Sequence, residues 1–215
     1  MKDIKMTAAQ GTSRAVIPTA EEKREGTVME EENLIEKKID TREIYKGKIL
    51  DLYVDTVELP NGNTAIREHL RHRGAACVVP LTAEGEVLMV RQYRYPMAEV
   101  TLEVPAGKLD TVGEDPLSAA KRELKEETGA EAEEIMYLGK YYPTCAYSNE
   151  VIHMYLAKDL TFGKADPDDD EFLEPIRIPL ETLKDMVMRG EIPDGKTQAA
   201  VLKAAMLEQK TAKQK

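Results

Sequence analysis

The sequence predicts an α+β fold, a mixed sheet flanked by helices, on three observations. Alternating or wholly apolar runs are interspersed with helical patterns but form no regular βαβ repeat. The turn signals Pro60-Asn61-Gly62-Asn63 and Glu84-Gly85 each separate two strand-like runs. One segment, 116–128, carries both a start and a stop signal for a helix.

Residues 1–28 are polar and aperiodic, which predicts disorder: a regulatory tail on one reading, an over-long gene model on the other. From 44 to 59 the chain alternates as a strand, with Ile49, Tyr53, Asp55 and Val57 on one side. After the turn a second strand passes through Ile66 and Leu70, giving an N-terminal antiparallel hairpin within 34–72. The runs 75–81 and 87–90 are apolar on both faces and predict a second hairpin of buried strands. A strand through Leu102 and Val104 leads into a turn at Pro105-Ala106-Gly107. Further strands are expected over 136–142 and 151–157. Helices are expected over 181–189 and 197–208, the second with an Ala/Leu face.

The helix at 116–128 carries the chemistry. Asp115 suits the N-cap, Pro116 the first helical position, and Gly129 the residue just past the end. Leu117, Ala120 and Leu124 share the face that docks on a core. Glu123, Glu126 and Glu127 run along the edge of that stripe. Like charges so spaced destabilise a helix by roughly 0.2–0.5 kcal/mol per pair. Arg122 can pair with Glu126, but one cation does not neutralise three anions. Hard divalent cations would, and Mg²⁺ binds through a few carboxylates together with substrate phosphates. The competing reading is a solvated acidic helix. Against it, Gly107, Glu114, Arg122, Glu123, Glu126, Glu127 and Gly129 at fixed spacing recur by chance about once in 10⁸ windows.

Composition narrows the class. The chain has 215 residues, enough for one domain plus an extension, and a formal net charge of −10. That charge argues against a nucleic-acid surface, which needs clustered Lys and Arg, but leaves a nucleotide substrate open. Cys77 and Cys145 lack metal-ligand spacing and read as reduced thiols of a cytoplasmic protein. No run is long and apolar enough for a membrane span, and no hydrophobic signal segment is present. His69, His72 and His153 lie on or beside strands, and no Ser or Cys stands in a recognisable nucleophile setting.

The stretch from Gly107 to Ala130 resembles the Nudix box, with one extra residue between Gly107 and Glu114, ahead of the helix. The resemblance spans about 36–204. The segments 44–49, Arg67-Glu68, Gln92-Tyr93-Arg94, Leu102-Glu103-Val104-Pro105-Ala106-Gly107 and Asp168-Asp169-Asp170-Glu171 are similar to the ADP-ribose pyrophosphatase branch. That resemblance implies an α/β/α sandwich at 73–210 hydrolysing ADP-ribose to AMP and ribose 5-phosphate. It also implies a homodimer in which the strands of 34–72 complete the partner's site. The implied metal set is the Ala106 carbonyl with Glu123, Glu126, Glu127 and Glu171, taking Mg²⁺, with Mn²⁺ able to substitute. Glu126 has a second implied role as a local base. Glu127 and either Asp169 or Glu171 are the implied catalytic carboxylates. Asp169 stands where many relatives have a glutamate, which puts its role in question. Arg67 and Arg94 would hold the diphosphate or ribose, Glu68 a base amino group or ribose hydroxyl, and Tyr45 would stack on adenine. The loop Pro143-Thr144-Cys145-Ala146-Tyr147-Ser148 departs from the Ser-Pro-Gly turn of many relatives, so the terminal-ribose pocket is left open.

Two other readings stand beside this one. Another nucleoside-diphosphate sugar, such as GDP-mannose, would use the same box. A non-catalytic ADP-ribose-binding module is expected to lose box carboxylates, and Glu114, Glu123, Glu126 and Glu127 are all present. At the N-terminus, Lys23-Arg24-Glu25-Gly26 is encodable by purine-rich codons resembling a ribosome-binding site ahead of Met29. The hypothesis is that Met29 is the start residue. Intact mass of the natively expressed protein tests it, and a chain beginning at Met1 refutes it.

Overall fold

The computed structural model describes residues 31–167 and 171–213. The expectations for residues 1–28, and for Asp169, lie outside the described residues. After a 3₁₀ turn at Glu31–Leu34 the elements are β1 (Lys37–Lys46), β2 (Asp51–Glu58), β3 (Thr64–Arg71), β4 (Ala75–Pro80), β5 (Glu86–Arg94), β6 (Glu99–Glu103), β7 (Ala106–Lys108), α1 (Pro116–Thr128), β8 (Ala130–Tyr141), β9 (Ile152–Phe162), β10 (Glu174–Pro179), α2 (Leu180–Met188) and α3 (Gly195–Lys213).

The strands form three small sheets, ordered β1-β2-β3, β10-β5-β6 and β7-β4-β9-β8. In the last, β4 and β9 run parallel and the other pairs antiparallel, so the sheet is mixed. Strand alternation sends side chains into two cores. Cys77, Val79, Met154 and Leu156 face a core shared with α2 and α3 through Leu183, Val201 and Ala204. Ala76, Val78, Tyr155 and Ala157 face the other, filled from α1 by Ala119, Ala120 and Leu124. Helices therefore cover both faces, and the α+β sandwich follows. The apolar runs in β4 and in the 87–90 part of β5 have the same cause: those residues are buried on both sides.

The structure departs from the sequence reading at three points. The run 44–59 is two strands, because the chain reverses where Gly47 N–H donates to Leu50 O at 3.0 Å. A Cβ on Gly47 would lie 2.7 Å from the Tyr45 ring, so a glycine suits this turn. The apolar Ile49 and Leu50 disguised the break, and the N-terminal hairpin is a three-stranded meander. Second, β4 and β5 share the turn at Gly85 and an isolated Leu81–Val87 bridge, but then enter different sheets. Each occupies the centre of its own sheet, between β7 and β9 or between β10 and β6. Third, β10 went unrecognised. It is a six-residue edge strand with Pro175 and Pro179, which edges tolerate and sequence patterns penalise.

Candidate active site

Helix α1 begins and ends where its caps put it. The Asp115 carboxylate accepts from Leu117 N at 3.4 Å and Ser118 N at 3.1 Å. Gly129 takes φ 70° and returns its N–H to Lys125 O at 2.8 Å. A side chain at that φ costs about 1–2 kcal/mol, and here a Cβ would also lie 2.6 Å from Gly163 O. With both ends pinned, the face carrying Ala119, Ala120 and Leu124 also carries Glu123 and Glu127 into the interior. Their relative exposures are 7% and 3%.

The corner Pro105-Ala106-Gly107 receives them. Ala106 N–H donates to Glu127 Oε2 at 3.1 Å. Gly107 packs so closely on the Glu123 carboxylate that an added Cβ would overlap it. The residue extra to the Nudix spacing is absorbed upstream, in a loop where Gly113 takes φ 92° with open space around it. Arg122 is the hub of the exposed side. Its Nη1 bonds Glu123 Oε1 at 2.8 Å and Glu126 Oε2 at 3.0 Å, while Asp110 and Glu114 approach at 3.4 and 3.8 Å.

Burial pushes the Glu123 carboxyl up to about 7, against the pull of Arg122 and with added repulsion from Glu126 and Glu171. Burial likewise pushes Glu127 up to about 8, reinforced by the charge of Glu123. The Ala106 N–H and Lys196 oppose that rise, and Glu171 adds to it. The charge of Glu171 thus adds to the rise of both carboxyls. Among the described residues no three acidic, His or Cys side chains form a ready-made cage. The donor chemistry nonetheless fits a hard divalent cation: paired, desolvated, oxygen-only carboxylates beside a backbone corner kept open by a glycine.

The remaining sequence-predicted residues fall into two groups. Arg94, at the end of β5, forks onto Glu103 through Nε at 2.7 Å and Nη2 at 2.6 Å, and the negative charges of Glu103, Asp194 and Glu127 raise its pKa. Glu126 is part-exposed and held by Arg122. Tyr45, Arg67 and Glu68 lie instead on the exposed β1-β2-β3 sheet, where Arg67 Nε donates to Glu36 Oε2 at 2.9 Å. A hollow of about 500 Å³ lined by Thr82, Glu84, Glu133, Asp159 and Phe162 contains none of these residues; its lining carries no cation to meet a phosphate. The histidines serve local bonds: His69 to Asp55 at 3.0 Å, His72 Nδ1 accepting from Gly74 N at 3.1 Å, and His153 to Tyr137 Oη at 3.2 Å.

Sequence reasoning missed the support behind Arg94. Glu103 is 2% exposed and also accepts from Thr101 Oγ1 at 2.6 Å and from the buried Lys196. Burial alone would raise its pKa, but Arg94 and Lys196 bring it down to about 2. A lone glutamate between the apolar Leu102 and Val104 was the available signal, since a buried carboxylate needs partners.

The comparisons with known proteins agree with this geometry. Residues 70–199 match the family profile described as NUDIX domain, and residues 36–70 that of the nucleoside diphosphate sugar hydrolase N-terminal domain. The chain is 40% identical over 184 residues to an ADP-ribose pyrophosphatase of Bacillus subtilis, covering 83% of this chain and 99% of that protein. It is 43% identical over 168 residues to a methanol dehydrogenase activator of Bacillus methanolicus, covering 77% and 90%. A crystal structure of an ADP compounds hydrolase superposes with a TM-score of 0.72 over 82% of this chain and 95% of that one, at 21% identity, a likeness of fold.

The raised carboxyls make a pH prediction. Their folded-state values, about 7 and about 8, exceed the ordinary 4.5, so across that window the folded state binds more protons than the unfolded state. The contribution of these two carboxyls to the stability of metal-free protein therefore falls as pH rises from about 4.5 to about 8. Mg²⁺ competes with those protons, so it should raise Tm more near pH 8 than near pH 5. Thermal melts in EDTA and in Mg²⁺ at both pH values check this, and an equal Mg²⁺ shift at both would contradict it.

Proposed function

The chain belongs to the NUDIX family, and on that premise we propose that it hydrolyses the pyrophosphate bond of ADP-ribose to AMP and ribose 5-phosphate. The observation that carries this reading is the burial of Glu123 and Glu127 against the Ala106-Gly107 corner. The relative named ADP-ribose pyrophosphatase, matched over nearly its whole length, supports the substrate. A divalent cation is the family's cofactor, and Mg²⁺ is the proposed ion, with Mn²⁺ as substitute. It would be held by Glu123, Glu126, Glu127, Glu171 and the Ala106 carbonyl.

When bound, the cation neutralises phosphate charge and makes a water more acidic. The protein's own groups do the rest. Arg94, held as a fork by Glu103, presents fixed positive charge to the diphosphate without reorganising. A carboxylate of the 169–171 loop takes the proton of the attacking water, Glu171 being the one coupled to Glu123 and Glu127. The proposed location is cytoplasmic, in keeping with Cys77 and Cys145 as free thiols.

The proposal includes a homodimer. Every residue of β1 is exposed, and Leu34, Ile35, Ile39, Ile44, Tyr45 and Ile49 present apolar surface there. A strand exposed on both faces and flanked by apolar residues calls for a partner to hide that surface. In the dimer Tyr45, Arg67 and Glu68 would reach the partner's substrate, with Arg67 exchanging Glu36 for phosphate. The N-terminal unit is taken as 34–72 and the catalytic unit as 73–210.

Two measurements test these readings. AMP release is assayed across ADP-ribose, GDP-mannose and other nucleotide sugars with and without Mg²⁺, and in Glu127→Gln. ADP-ribose with Mg²⁺ should be the preferred substrate, and the variant should lose turnover on the order of a thousandfold with its fold intact. Preference for GDP-mannose would shift the substrate assignment, and near-normal activity of the variant would defeat the metal assignment. Solution mass by light scattering should equal two chains, and a single-chain mass would remove the dimer.

A further inference from the structure

The buried charges behind the active-site corner form one connected structure. Glu103 Oε1 accepts from Arg94 Nε and Thr101 Oγ1, and Oε2 accepts from Arg94 Nη2 and Lys196 Nζ. Lys196, 8% exposed, also donates to Asp194 Oδ2 at 3.0 Å. The next residue, Thr197, accepts from Val104 N at 3.0 Å, and its own N–H bonds Asp194 Oδ2 at 2.9 Å. The first turn of α3 thus grips the last residue of β6 and the one after it. Pro105 follows, its carbonyl fixed by Val78 N at 3.0 Å, and then Ala106, whose N–H holds Glu127.

We infer that Lys196 is a positioning residue for pyrophosphate cleavage, fixing through Glu103 both the guanidinium of Arg94 and the Ala106 corner. Stability alone does not account for it. A buried ion pair adds little over apolar residues of similar volume. Here a Lys, a Glu, an Arg and an Asp are joined between β5, β6 and α3, and the chain of bonds ends on two groups facing the site. Lys196 touches no substrate-binding group directly. It saturates the carboxylate that aims one, so that Glu103 keeps a single orientation. The inference rests on the role proposed above for Arg94 and the corner, not on the identity of the nucleotide sugar.

The test uses Lys196→Met, shown folded by circular dichroism and a cooperative melt. Hydrogen exchange at the Ala106 amide is measured without substrate, and kcat and KM are measured with ADP-ribose and Mg²⁺. Exchange at Ala106 should accelerate by about tenfold or more while β8 and β9 keep their protection. The kcat should fall about a hundredfold, the scale of an ångström misplacement, with KM changing by less than about threefold. Wild-type exchange and wild-type kcat in the folded variant overturn the inference. Uniform acceleration through β4, β8 and β9 also overturns it, because that marks a merely structural lysine. If Lys196→Met does not fold, Lys196→Gln, which keeps a donor for Glu103 but removes the charge, is judged on the same two readouts. The exchange arm needs no substrate. Failure of the wild-type protein to cleave ADP-ribose would sink the substrate assignment and leave the positioning role decided by exchange.

Discussion

Burial of the Glu123 and Glu127 carboxylates against a backbone corner is the constraint to which the other elements answer. Two anions taken out of water beside one another are costly, as their raised pKa values record. The fold accepts that cost at one spot only because the surroundings leave no alternative rotamer or register. Asp115 and Gly129 fix where the helix starts and stops, and Ala119, Ala120 and Leu124 fix its rotation. Gly107 leaves the room in which Glu123 sits. On the proposed function, a cation arriving with the substrate would relieve that cost.

The same logic explains why the positive charges sit where they do. Arg122, itself half-buried, answers Glu123 and Glu126 directly. Arg94 and the buried Lys196 both bond Glu103, which stands between them. A carboxylate with four donors has no freedom left to follow a neighbour. Preorganisation of that kind lets a guanidinium meet a phosphate without first losing its own mobility.

The N-terminal sheet obeys a different constraint. Its strands are regular, and Asp55 is tied to Thr41 and His69, yet β1 buries nothing. Its exposed apolar residues are what the proposed dimer would cover. The Arg67–Glu36 pair contributes little to stability, since both groups are largely exposed.

The helix at 116–128, its caps and the box carboxylates were legible in the sequence, because capping chemistry and the 3.6-residue period are local and need no neighbours. Most strands were legible as well, through apolar runs and turn residues. Strand partnership was not: β4 and β5 read as a hairpin, but each pairs along both edges, with β7 and β9 or with β6 and β10, which adjacency in the chain does not reveal. The edge strand β10 was hidden by its prolines, and the break at Gly47 by the apolar residues beside it. Glu103 and Lys196 lie 93 positions apart, and nothing local pairs them. The chain by itself determined which groups can bind metal and phosphate, since that depends on residue type and helical spacing. Tertiary structure alone decided which of those groups are desolvated together and what holds them there, because burial and long-range ion pairing are properties of packing between distant elements.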